Sequence, residues 1–208
     1  MTDGKPVVFI IDDDASVREG LEDLFQSIGV AALTFGSPGE FLQSERPNAP
    51  GCIVLDVRLP GQSGLEFQRQ LAEVDIHLPI IFISGHGDIP MSVQAMKSGA
   101  IEFLTKPLHE QRLLDAVQAG LESDRARRVE ALAVGELRSR YESLTPRERE
   151  VFALVITGRP NKQIAAALEL SEMTVKVHRS QLTRKMHAKS VIDLARMADK
   201  LGISPARA

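Results

Sequence analysis

The chain has no tryptophan, one tyrosine and one cysteine among its 208 residues. A single cysteine excludes an internal disulfide and any cysteine-rich metal cluster, and such sparing use suits a reducing compartment. Cys52 opens the apolar run Cys52-Ile53-Val54-Leu55, where it reads as a small buried hydrophobe. Long hydrophobic runs are also missing. No apolar stretch approaches the roughly 20 residues a membrane-spanning helix needs, and no basic segment followed by a long apolar one stands near residue 1. A cytoplasmic location with no membrane partner is the expectation. Low-complexity segments and tandem repeats are absent as well.

What is present is ordinary in amount but uneven in placement. Apolar residues make up 43% and charged residues 25%, globular values in a length that suits one large domain or two small ones. The net charge of −3 hides an asymmetry: residues 1–121 carry 8 Lys and Arg against 17 Asp and Glu, a net of −9, whereas residues 122–208 carry 17 against 11, a net of +6. Opposite charge in the two parts points to two jobs, with the basic part a candidate for a polyanion, although a basic surface is also a common way of staying soluble.

In the acidic part, apolar runs at Val7–Ile11, Val30–Phe35, Cys52–Leu55, Pro79–Ser84 and Ile101–Leu104 alternate with amphipathic segments at about 15–28, 37–44, 64–73, 90–98 and 109–121. Strands alternating with helices imply right-handed crossovers and a parallel sheet, and five such units match a doubly wound, flavodoxin-like α/β fold. Ligand sites of that fold lie at the carboxyl ends of the strands. The first run ends at Asp12-Asp13-Asp14, the third at Asp56, the fourth at Ser84-Gly85-His86-Gly87 and the fifth at Thr105-Lys106-Pro107. Asp14 also suits a helix cap. Packed like charges are costly unless a cation binds among them, and a hard divalent ion with oxygen ligands such as Mg²⁺ is the simplest occupant. With it, one carboxylate could attack phosphorus while a hydroxyl and a lysine bind the oxygens of the acyl phosphate. Glycines in 61–64 and 85–87 would let the loops turn tightly around a small anion.

This constellation, over about residues 5–121, resembles the receiver domain of two-component response regulators. The stretches His86-Gly87-Asp88-Ile89-Pro90 and Ala95-Met96-Lys97-Ser98-Gly99-Ala100 resemble the FixJ-type subgroup. The resemblance implies that Asp13 holds Mg²⁺ directly, Asp12 through water, and that the Arg58 backbone carbonyl completes a metal shell shared with Asp56. It implies further that Asp56 is the phosphoacceptor, Ser84 the switch hydroxyl, Lys106 the phosphate-binding lysine and Lys106-Pro107 a cis peptide. Phe103 stands where the family has a rotating switch aromatic; a core phenylalanine is an equally good reading. His77 and His109 read as solvent-facing, and His86 either orients a hydrolytic water or is a plain loop residue.

Residues 122–142 hold 5 Arg and 5 acids with little glycine or proline, which predicts a helical linker without a clean heptad. Beyond it, Thr145-Pro146-Arg147-Glu148 is a helix start with a capping box. A second helix follows from Asn161, a third from a Ser171 cap to about Met186 and a fourth from Ser190, a helix-turn-helix arrangement. On the third helix Val175, Leu182 and Met186 share one stripe, while Met173, Lys176, Val177, Ser180 and Arg184 share the opposite one. An exposed Val177 among cations is wasted unless it meets an apolar group such as a thymine methyl; a solvated basic face is the alternative.

From about 140 to 205 the motifs Leu144-Thr145-Pro146-Arg147-Glu148, Asn161-Lys162-Gln163-Ile164-Ala165 and Thr174-Val175-Lys176-Val177-His178 resemble the LuxR/NarL-type four-helix helix-turn-helix domain. The resemblance implies base contacts to double-stranded DNA from Lys176, Val177 and Ser180. It implies phosphate contacts from Asn161, Lys162, Thr174, Arg179, Arg184 and Lys185. Val191, Leu194, Ala195 and Ala198 form one face of the last helix, which could dimerise or pack into the domain's own core. The expectation is a receiver at 1–121, a helical linker at 122–142 and a DNA-binding domain at 143–208. Together they would make a transcriptional regulator phosphorylated on Asp56 by a sensor histidine kinase, homodimeric when phosphorylated. It would be no enzyme beyond its own phosphorylation and slow dephosphorylation. The rivals are a Mg²⁺-dependent phosphohydrolase with Asp56 as nucleophile, which Val57-Arg58 disfavours because such enzymes usually place a second acid there, and a DNA-binding regulator indifferent to phosphorylation.

Overall fold

The computed structural model describes residues 4–85 and 89–204, so His86 lies outside the described residues. The chain divides into two compact units, Met1–Arg128 and Val129–Ala208.

The first unit is a five-stranded sheet in the order β2-β1-β3-β4-β5. Its strands are β1 (Val7–Ile11), β2 (Ala31–Phe35), β3 (Gly51–Asp56), β4 (Ile80–Ser84) and β5 (Glu102–Thr105), and every neighbouring pair runs parallel. All residues of β1, β3 and β4 are buried, which is why these segments read as unbroken apolar runs and not as alternating ones. Within β1 the pleat sends Val7, Phe9 and Ile11 into one core and Val8 and Ile10 into another. The first core gathers Phe41, Phe67 and Phe82; the second packs Phe25, Leu113 and Val117. Helices α1 (Ala15–Ser27), α2 (Pro38–Gln43), α3 (Gly64–Glu73) and α4 (Ile89–Lys97) follow the first four strands. Side chains of Asp14, Ser37 and Ser63 cap α1, α2 and α3.

Helix α5 runs without interruption from Glu110 to Glu142. The stretch 122–128, expected as linker, belongs to the first unit. The reason is Asp124, fully buried, whose carboxylate accepts hydrogen bonds from the Gly51 amide (3.0 Å), Arg127 Nη2 (2.6 Å) and Arg128 Nε (2.7 Å). Burial pushes this carboxyl up, but the two guanidiniums and the amide outweigh it and hold it below the usual range.

The second unit contains α6 (Pro146–Val155), α7 (Asn161–Leu168), α8 (Glu172–Met186) and α9 (Val191–Leu201). The capping box of Thr145 and Glu148 is formed in full, and Ser171 and Ser190 cap α8 and α9. Helix α6 ends at Val155, and Gly158 just beyond it takes a left-handed turn at φ +78°. Val151, Phe152, Ile164, Val175, Leu182 and Met186 make the core. Among the described residues no helix is long and apolar enough to cross a membrane.

Candidate functional site

At the carboxyl edge of the sheet, on either side of the point where strand order reverses, β1 delivers Asp12 and β3 delivers Asp56. Both are buried, at 1% and 6% exposure. The loop after β5 brings Lys106 between them: its ammonium donates to Asp12 Oδ2 at 2.7 Å and to Asp56 Oδ1 at 3.0 Å. The Lys106 backbone amide donates to the carbonyl of buried Ser84 at 2.8 Å, which ties the lysine loop to the end of β4. Lys106-Pro107 is cis. Asp12 Oδ1 accepts from the Asp14 amide at 2.9 Å, and Asp56 Oδ2 from the Arg58 amide at 2.6 Å. Phe103 is half-buried on β5 with its ring 6.2 Å from that of Phe82.

Burial raises the Asp12 carboxyl above its usual value; the Lys106 hydrogen bond and the Asp14 amide oppose it, and the Asp56 charge adds to the rise. For Lys106 burial works to lower the pKa, but hydrogen bonds and attraction from both aspartates prevail and raise it. One ammonium therefore faces two buried acids and leaves negative charge over. A site with surplus charge and only carboxylate and carbonyl oxygens as donors fits a small hard cation such as Mg²⁺. Asp13, next in the chain to the buried Asp12, is exposed, and among the described residues no three His, Cys, Asp or Glu side chains cluster as a metal site.

Two positions were not legible as parts of this site. Arg18, on α1, donates from Nη1 to the Asp12 carbonyl at 2.6 Å. Gly64 opens α3 directly against β3: a Cβ there would lie 2.5 Å from the Asp56 carbonyl oxygen and 3.1 Å from the Phe82 ring. The sequence marked 61–64 only as a tight turn, a role filled by Gly61 at φ +81°. Gly64→Ala is expected to cost about 1–3 kcal/mol of stability, because the backbone carrying Asp56 or the start of α3 must move. Urea unfolding followed by amide signals of the first unit would read it; an unchanged midpoint would mean the contact yields freely.

In the second unit Val175, Leu182 and Met186 are fully buried, while Met173 is 69% and Val177 48% exposed. Lys162, Lys176, Ser180 and Arg184 are exposed as well. Helix α8 thus presents cations and two hydrophobes on one open face. Thr174 is half-buried, its hydroxyl 2.8 Å from Ser171 Oγ within the helix cap. Arg179 and Asn161, both half-buried, are joined: Arg179 Nη1 donates to Asn161 Oδ1 at 2.7 Å.

Lys185 is not an open cation: it donates to Glu148 Oε2 at 2.7 Å and to the Ser143 carbonyl at 3.2 Å, so its charge is spent on a buried acid. Of the two readings left open for the face of Val191, Leu194, Ala195 and Ala198, packing into the domain's own core is the one the contacts favour. Leu194 and Ala198 are 2% and 1% exposed and Val191 packs against the same core, because a four-helix unit needs that stripe to close itself.

Residues 8–118 match the response regulator receiver domain, and residues 142–198 match the bacterial regulatory proteins of the luxR family. Over 200 residues the chain is 54% identical to Nodulation protein W of Bradyrhizobium diazoefficiens, covering 96% of this chain and 88% of that protein. It is 41% identical over 199 residues to Transcriptional regulatory protein FixJ of Azorhizobium caulinodans, covering 96% and 94%. Among solved structures, the response regulator StyR aligns at a TM-score of 0.81 and 48% identity over 95% of this chain and 100% of that one.

Proposed function

The chain belongs to the two-component response regulators that join a receiver to a LuxR-type DNA-binding domain, and from that premise we propose that it is phosphorylated on Asp56 by a sensor histidine kinase and then binds promoter DNA as a homodimer. That membership puts it with transcriptional regulators and leaves the phosphohydrolase reading without support. The observation that carries the phosphoacceptor reading is the Lys106 ammonium held between Asp12 and Asp56 at the strand ends.

An Asp56 carboxylate oxygen attacks phosphorus, the bond from phosphorus to the donor imidazole breaks, and the electron pair leaves with the imidazole. Lys106, drawn off Asp56 as that carboxylate becomes an acyl phosphate, binds a phosphoryl oxygen, and the Ser84 hydroxyl donates to another. Asp13, Asp12 through a water, Asp56 and the Arg58 carbonyl would hold Mg²⁺, which when bound neutralises phosphoryl charge. Ser84 and Phe103 adjust to the new group and alter the receiver surface, and the acyl phosphate is later lost slowly to water. Lys176, Val177 and Ser180 meet base edges, while Lys162, Arg179, Arg184 and Thr174 meet phosphates. The setting is the cytoplasm.

Incubating the full chain with acetyl phosphate and Mg²⁺ is expected to add the mass of one phosphoryl group, enlarge the species seen by sizing and tighten promoter binding. Chelating the metal should suppress all three. Phosphorylation without change in size or DNA affinity would sustain the receiver chemistry and overturn its coupling to DNA.

A further inference from the structure

The cations near the open face of α8 are not equivalent in what holds them. Lys185 is tied to a carboxylate, and so little of its charge remains for a polyanion. Lys176 and Arg184 are exposed, and a long free side chain must be ordered when it binds. Arg179 differs from both. It is half-buried and its partner is the amide oxygen of Asn161, from the first turn of α7. A neutral acceptor fixes the guanidinium without cancelling its charge. Arginine carries five N–H donors in a rigid planar fork, and one bond to Asn161 leaves the rest for another acceptor. Arg179 has no second hydrogen-bond partner among the described residues.

We propose that Asn161 is a positioning residue for DNA binding: it does not touch DNA itself but holds the Arg179 guanidinium, charge intact, in the orientation that meets a backbone phosphate. The inference rests on the DNA-binding reading of the second unit. It moves Asn161 out of the set of phosphate contacts that the family resemblance implies and gives it a role through Arg179. The gain is preorganisation, since a side chain ordered before association loses less freedom on binding.

The test is a double-mutant cycle on the full chain with a labelled DNA duplex of mixed sequence, where phosphate contacts supply nearly all the affinity, read across salt concentrations. Arg179→Ala should weaken binding and reduce the slope of log affinity against log salt by about 0.9, the value of one lost phosphate contact. Asn161→Ala should weaken binding about 2- to 10-fold, the ordering cost of one side chain, with the salt slope unchanged. In the Arg179→Ala background, Asn161→Ala should then cost nothing further. Asn161→Asp is the sharper probe. It keeps an acceptor for Nη1 but neutralises the guanidinium, so it should bind more weakly than Asn161→Ala and lose about one unit of slope. Thermal unfolding of each variant checks that the second unit is intact. If Asn161→Ala still costs its full factor without Arg179, or Asn161→Asp binds as wild type does, Asn161 is not acting through the guanidinium and the proposal falls. A wild-type chain whose affinity for the duplex ignores salt would instead overturn the DNA-binding reading beneath it.

Discussion

An Asp56→Asn chain is expected to take up no phosphoryl group from acetyl phosphate, while the wild-type chain gains one. The expectation follows from geometry and chemistry together. Asp56 closes β3 at 6% exposure, with one oxygen on the Arg58 amide and the other on the Lys106 ammonium. The substitution keeps the size of the side chain and an acceptor oxygen, so the local fold should persist. It removes the negative charge that makes the carboxylate a nucleophile and a partner for a hard cation. In acetyl phosphate the bond between phosphorus and the acetyl oxygen breaks, acetate leaves with the electron pair, and the new bond is from phosphorus to an Asp56 oxygen. An amide oxygen or nitrogen is far too weak a nucleophile for that displacement. Intact-mass spectrometry, with peptide mapping under conditions that preserve acyl phosphates, reads the outcome. Undiminished labelling of the variant would place the phosphoacceptor elsewhere and remove the ground for giving Lys106 its phosphate-binding role.

The sheet and its strand ends were legible because parallel strands buried on both faces leave a mark in consecutive residues. Val7–Ile11, Cys52–Leu55 and Pro79–Ser84 needed no partner to be recognised, and chain adjacency alone puts Asp12, Asp56 and Gly85 at their carboxyl ends. The division of α8 was legible for the same local reason, a periodicity of 3.6 that separated Val175, Leu182 and Met186 from Lys176, Val177 and Ser180. The contacts that stayed hidden depend on partners distant in sequence. Asp124 is anchored on Gly51, 73 residues away, and Lys185 on Glu148, 37 away. Nothing near either residue announces that bond. Helix α9 illustrates a second limit: its stripe of Val191, Leu194 and Ala198 declares an apolar face, but periodicity is silent on whether its own unit or a second copy covers it.

Replacing Lys185 by Met is expected to cost the second unit about 1–3 kcal/mol at neutral pH, the usual penalty for leaving a buried acceptor without its partner, since the half-buried lysine is the only cation on Glu148 among the described residues. Glu148 is 1% exposed; its Oε2 accepts from Lys185 Nζ and, at 2.7 Å, from the Thr145 amide. Burial pushes the carboxyl up, but the Lys185 bond and the Thr145 amide outweigh it and hold its pKa below the ordinary glutamate value. A carboxyl lowered on folding adds stability in full above its unfolded pKa, about 4.3, and that contribution is lost as pH falls through the lower folded value. Wild-type stability should therefore decline on acidification. In Lys185→Met the carboxyl loses the ammonium that lowers it, and burial is opposed only by Thr145. The folded pKa therefore rises, less stability is lost on acidification than in wild type, and the deficit against wild type shrinks as pH falls. Adding Glu148→Gln to Lys185→Met should recover much of the loss at neutral pH, since an amide can still cap Thr145 without a buried charge. Denaturant unfolding of the three variants at neutral and acidic pH measures each of these differences. If Lys185→Met instead proves as stable as wild type while its DNA-binding salt slope falls by about 0.9, the lysine is a phosphate contact after all, as the family resemblance implies, and its bond to Glu148 adds little to the fold.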